Sequence, residues 1–223
     1  MTYFFKTLLF LTAVAVSLQA QAQRRSKPLP GGIYLKAQAG RGFSLNHEKM
    51  TFNTSGSYAD MNFGPGAGFN LSFGTGLRSK VFDAELLLEE SLVFGFSAST
   101  GSGGSVTSSA SFFKTNLYGV GYLKIPMSRG NYFRMGIGPF ISFPGKYKAK
   151  LDGSKLGYAK YNSAVGYVID LNVLLEAKTV YVNPGLRFKS AKTDSKEITF
   201  TQNQSNLTSL NLSSVDIYLA IQF

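Results

Sequence analysis

The chain has 223 residues, with 23 Lys and Arg against 12 Asp and Glu, a formal charge of +11, one histidine, and no cysteine or tryptophan. That length suits a single domain, and the lack of cysteine excludes disulfides, thiolate metal sites and a cysteine-linked lipid anchor. Twenty-four glycines disfavour long helices, and past residue 22 no apolar run reaches the roughly 18 residues of a spanning helix, so any membrane crossing must be made by a closed sheet.

Residues 1–22 carry Lys6, an apolar run over 7–16 and the small-x-small triplet Ala20, Gln21, Ala22 before Gln23. The pattern predicts a cleavable secretory signal peptide; its apolar run is shorter than the ~20 residues needed to span a bilayer. Residues 23–223 are then left as one domain, with one positive charge fewer once Lys6 is removed. On an exported chain a basic excess points to anionic lipid headgroups or surface polysaccharide rather than to nucleic acid.

Alternation with period 2, the signature of a strand with one apolar face, predicts eight strands. The first covers 32–43, with Ile33, Leu35, Ala37 and Ala39 opposite Tyr34, Lys36 and Gln38. In the second, 60–73, Met61, Phe63, Pro65, Ala67, Phe69, Leu71 and Phe73 alternate with small or polar residues. The third, 81–96, sets Phe82, Ala84, Leu86 and Leu88 against Asp83, Glu85, Leu87 and Glu89; Glu90 falls on the apolar parity, so the frame shifts there or Glu90 sits at a rim. The fourth is 112–125. The fifth, 132–143, carries Phe133, Met135, Ile137, Pro139, Ile141 and Phe143 on one face. The sixth, 163–176, has Val165, Tyr167, Ile169, Leu171, Val173 and Leu175 on one face, and the seventh is 180–189. The eighth, 215–223, alternates Val215, Ile217, Leu219, Ile221 and Phe223 with Asp216, Tyr218, Ala220 and Gln222. Pro65, Pro139 and Pro184 lie where a barrel strand needs its N–H, which predicts bulges or local breaks.

The connections alternate in length. Residues 44–59, 97–111, 144–162 and 190–210 are long and rich in Ser, Gly, Asn, Lys and Thr, whereas 74–80, 126–131 and 177–179 are short. An up-and-down barrel with long loops outside and short turns inside predicts this alternation. Eight antiparallel strands enclose a bore that side chains can fill. A soluble barrel would reverse the faces. Lipid outside is favoured by the Gly, Ser and Asn on the polar face, by aromatics near strand ends (Phe63, Phe73, Phe133, Phe143, Phe223) and by strand length.

The terminal strand resembles the closing strand of bacterial outer-membrane β-barrels. In such barrels the assembly machinery reads that segment, a role the resemblance assigns to Tyr218, Ile221 and Phe223. The stretch Tyr122, Leu123, Lys124, Ile125, Pro126, followed by a short turn and the aromatic strand 132–143 with Gly138, Pro139 and Phe140, then Gly145, Lys146 and Tyr147, resembles the porin-like outer-membrane β-barrel family of Bacteroidetes. The resemblance is densest over 117–188 and its motifs are structural. It implies an eight-stranded antiparallel transmembrane barrel in the outer membrane, with lipid, lipopolysaccharide and the barrel assembly machinery as partners.

By parity the inward face holds Lys36, Asp83, Glu85, Glu89, Lys114, Arg134, Asp170, Arg187 and Asp216, joined by Tyr118, Lys124, Asn172 and Lys189. Acids and bases sharing a narrow interior should pair, since an unpaired buried charge is costly. The expectation is a charge network that plugs the barrel. The outer-loop residues Lys146, Tyr147, Lys148, Lys150 and Lys160 make a basic, aromatic segment suited to anionic polysaccharide. His47, beside Glu48, has no partner that the sequence can name, and a calcium site would want spaced acids in a loop, whereas Asp152 and Asp194 stand alone. No catalytic residue, cofactor or metal is expected. The expected role is structural or surface-interacting, with a narrow solute channel or an accessory barrel in secretion or surface assembly as alternatives; oligomeric state is not legible.

Overall fold

The computed structural model describes residues 31–45, 49–54, 57–62, 67–101, 104–127, 130–151, 154–200 and 209–223. The expected signal peptide, Phe63, Pro65, His47, Glu48 and Asp152 lie outside them. The strands in chain order are β1 (Gly32–Ser44), β2 (Lys49–Thr54), β3 (Ser57–Asn62), β4 (Ala67–Arg78), β5 (Phe82–Gly101), β6 (Gly104–Pro126), β7 (Tyr132–Pro144), β8 (Tyr147–Leu151), β9 (Ser154–Tyr161), β10 (Ala164–Ala177), β11 (Val180–Ser190), β12 (Lys192–Phe200), β13 (Ser209–Asn211) and β14 (Ser214–Gln222).

Eight of these close a barrel in the order β1, β4, β5, β6, β7, β10, β11, β14, every neighbour antiparallel. Closure is made between β1 and β14, where Lys36 opposes Gln222 and Ser44 opposes Ser214. The last residue joins the seam: Phe223 N–H donates to Leu35 O at 2.9 Å, and Leu35 N–H to Phe223 O at 3.3 Å. A closed ladder leaves no barrel edge unpaired, the condition for a sheet in hydrocarbon.

The faces follow the alternation. Ile137 is 66% exposed and Val165 73% exposed on the outside, together with Leu77, Leu86, Leu123, Ile217 and Leu219, while Lys36, Asp83, Glu85, Lys124, Asp170 and Asp216 are buried within. Exposed apolar area on this scale marks an interaction surface rather than a solvated one. Glu90 opposes Thr115 in an unbroken register and accepts that hydroxyl at 3.0 Å, so the frame does not shift and Glu90 stays on the outer face. At Pro139 the β6–β7 pairing lapses between Tyr118–Phe140 and Gly121–Ile137, and at Pro184 the β10–β11 pairing lapses between Asn172–Gly185 and Leu175–Val182. The register is the same on either side of each gap. A proline without N–H therefore costs rungs of one ladder and introduces no bulge.

Three expected boundaries are corrected. The turn expected over 74–80 lies at 79–81, where Ser79 N–H donates to Phe82 O at 2.9 Å; Gly74 and Gly76 are paired strand residues. Glycine there reflects crowding rather than a turn: a Cβ on Gly76 would lie 2.4 Å from the Tyr34 ring. Residues 60–62, assigned to the second barrel strand, belong to the separate β2–β3 hairpin. Residues 97–111 are not a plain loop, since β5 and β6 continue in register out to Gly101 and Gly104. At that end β6 pairs β8, β8 pairs β9, β9 pairs β12 and β12 pairs β13, extending the sheet beyond the barrel. Ser, Thr and Gly hide this from apolar periodicity; β5 and β6 hold each other extended out to Gly101–Gly104, and Ser108–Ser111 pair with β8 as well.

Candidate functional site in the barrel interior

Inward positions on the barrel strands converge on two linked ionic clusters. Nearer the short-turn end, β5 supplies Asp83 and Glu85. Lys36 of β1 lies 2.8 Å from Glu85 Oε2, and Arg134 of β7 reaches both acids, Nη1 to Asp83 Oδ2 and Nη2 to Glu85 Oε1, each at 3.0 Å. Lys124 of β6 closes on Asp83 Oδ1 at 3.1 Å. Tyr34 O–H donates to Glu85 Oε1 at 2.7 Å, and Gln222 Nε2 donates to the same oxygen at 3.2 Å. The Arg134 guanidinium lies 4.3 Å from the Tyr122 ring centroid, a cation–π contact.

The second cluster sits deeper toward the hairpin-bearing end. Arg187 of β11 places Nε 2.7 Å from Asp170 Oδ2 and Nη1 3.4 Å from Glu89 Oε2, and Nη2 donates to Gln38 Oε1 at 3.1 Å. Lys189 bridges Glu89 at 2.9 Å and Asp216 at 2.5 Å. Tyr118 O–H donates to Glu89 and Tyr218 O–H to Asp170, both at 2.6 Å. Asn172 links the clusters: its Oδ1 accepts from Arg134 Nε at 2.8 Å, and its Nδ2 donates to Asp170 Oδ1 at 2.7 Å.

All nine residues expected to form the interior network are buried inside the barrel, and eight of them are ion-paired there. Lys114 is the exception, since no acid lies within ion-pair distance of it among the described residues. Sequence parity did not single out Tyr34, Gln38 or Gln222, which complete the hydrogen bonding of Glu85 and Arg187. Their inward position was legible, but their partners lie on other strands.

Beyond the barrel, Lys146, Lys148 and Lys150 are exposed. Tyr147 is a correction. It is 1% exposed and turns inward, its ring centroid 6.4 Å from that of Phe112, because alternation along β8 places it opposite its lysine neighbours. Lys160 pairs with Glu197 across β9 and β12, and Tyr158 O–H donates to Glu197 Oε1 at 2.7 Å. The Lys160 hydrogen bond, seconded by Tyr158, holds the Glu197 carboxyl below the ordinary range; the same bond raises Lys160. Among the described residues no group of three or more His, Cys, Asp or Glu could hold a metal ion.

No protein-family model and no curated protein matches the chain. Among solved structures it is similar to Neisserial surface protein A (12% identity, TM-score 0.45, covering 86% of this chain and 96% of that one). It is similar also to the outer membrane protein OprG from Pseudomonas aeruginosa (10%, 0.48, 87% and 97%). A third likeness is to Ail, the attachment invasion locus protein of Yersinia pestis, solved with the heparin analogue sucrose octasulfate (9%, 0.38, 87% and 100%).

Proposed function

We propose that the chain is an integral, non-enzymatic outer-membrane barrel whose bore is closed by its own ion pairs and whose contacts are made at the hairpin-bearing end. It sits in the bacterial outer membrane with its apolar face against lipid. The observation that carries the reading is inverted polarity: Arg134, Arg187, Asp83, Glu85, Glu89 and Asp170 are buried and mutually paired inside, while Ile137, Val165 and Leu219 point out. Pairs anchored on β1, β5, β7, β10, β11 and β14 cross the bore, and a filled eight-stranded interior leaves no porin-width path. Exposed Lys146, Lys148 and Lys150 suit anionic headgroups or polysaccharide at the membrane surface. The terminal strand with Tyr218, Ile221 and Phe223 would be the segment read by the assembly machinery. Kinship with the Bacteroidetes porin-like barrels rests on the motifs over 122–147.

The test is single-channel conductance of the refolded protein in a planar bilayer, after a heat-modifiable gel shift has verified closure. A folded, silent barrel is expected. Stable conductance that changes on Glu85→Gln would overturn the plugged reading in favour of a narrow channel.

A further inference from the structure

Buried charge in the barrel does not balance among the described residues: Lys36, Lys114, Lys124, Arg134, Arg187 and Lys189 face Asp83, Glu85, Glu89, Asp170 and Asp216. Every cation but one has an acid within 4.0 Å. The remaining one is Lys114, 5% exposed. It lines a small, partly open cleft at the hairpin-bearing end of the bore. The cavity floor also carries Asn70, whose buried Oδ1 has no hydrogen-bond partner. Lys189 and Asp216, paired with each other, also line it, and Val93, Phe112, Tyr147, Leu210 and Leu212 supply its apolar wall. An apolar cleft with one or two convergent polar groups is the usual form of a small-molecule site, and a buried ammonium without a counter-ion is costly until one arrives.

We infer that Lys114 and the cavity above it bind a small organic monoanion, its carboxylate on the Lys114 ammonium and its apolar body against Phe112, Tyr147 and Leu212. Asn70 Oδ1 is placed to accept a hydrogen bond from a hydroxyl on the ligand or from a water it carries. The neighbouring Lys189 is already held by Glu89 and Asp216, so one anion matches the one buried cation without an ion pair among the described residues. The inference does not depend on whether the barrel conducts.

The probe is benzoate, titrated calorimetrically into the full-length barrel refolded in dodecyl maltoside, with benzyl alcohol as the neutral analogue. Benzoate is expected to bind saturably and at least tenfold more tightly than benzyl alcohol, and Lys114→Gln is expected to weaken benzoate at least tenfold without affecting benzyl alcohol. Equal affinity of the two probes for the wild-type protein would overturn the inference, and that comparison needs no variant to fold. Full benzoate affinity in a heat-modifiable Lys114→Gln barrel would overturn it as well.

Discussion

Arg134 touches Asp83, Glu85, Asn172 and the Tyr122 ring, so one guanidinium on β7 serves three other strands, β5, β6 and β10. Its planar fork presents a separate N–H to each carboxylate in a fixed geometry, unlike the point charge of a lysine ammonium. Lys36 and Lys124 each hold only one of those acids. Removing Arg134 leaves Asp83 Oδ2 and Glu85 Oε1 without the ion-pair partner they share in a dry interior. Arg134→Met is therefore expected to cost about 3–5 kcal/mol, the range for breaking a buried pair from one side, read from urea unfolding in lipid vesicles. The exposed pair Lys160–Glu197 is its control, since screened surface pairs contribute little; Lys160→Met should leave the unfolding midpoint unchanged. A midpoint equally insensitive to Arg134→Met would show that the interior is hydrated enough to screen its charges.

Strand pairing explains residues that composition alone misreads. Tyr34 stands directly opposite Gly76, Tyr122 opposite Gly136 and Tyr218 opposite Gly185. In each case the ring lies across the neighbouring strand where a glycine leaves room, the aromatic cover of glycine that curved sheets use. At Gly185 an added Cβ would come 2.4 Å from the Tyr218 ring and 2.8 Å from Asn172 Cβ. Gly185→Ala should displace the Tyr218 ring from Asp170 and destabilise the barrel by about 1–3 kcal/mol, the cost of overpacking. Unchanged stability, with the Tyr218 environment unaltered by NMR, would refute the cover role. The two-residue β10–β11 turn tells the same story at an element end: Ala177 pairs with Val180, and Lys178 takes φ 55 to join them, the left-handed conformation that tight hairpins demand.

Closure, inverted polarity and a filled bore are properties of the whole molecule, and each depends on the others. A barrel closed by eight strands needs a tilted, staggered register; that register brings β1, β5, β7 and β11 side chains together across the bore. The outside is then left to aliphatic and aromatic side chains. Leu219, 54% exposed near the middle of β14, reports on that outer surface. Leu219→Arg is expected to cost about 2–4 kcal/mol in a bilayer, the penalty for an arginine at the lipid face near the midplane, and far less in detergent. Equal stability of this variant and the wild type in vesicles would place Leu219 away from hydrocarbon.

Period-2 alternation was enough to determine the eight barrel strands, the side each residue faces and the charged character of the bore, because side-chain parity is a local property of an extended chain. Even the terminal strand, with Asp216 and Tyr218 inward and Ile217 and Leu219 outward, follows from its nine residues alone. Parity does not say which strand stands opposite. Only the tertiary structure shows that Gly74 and Gly76 are strand rather than turn, since the Tyr34 and Leu87 side chains that crowd them belong to other strands. The same holds for 97–111, kept extended by β5–β6 pairing and, at Ser108–Ser111, by Lys148–Leu151, and for Tyr147, buried beside Phe112. It holds most of all for Lys114, which alternation alone cannot tell from its paired neighbour Lys189. Whether an acid meets an inward lysine depends on stagger across the barrel, and stagger is fixed by the closure of all eight strands together.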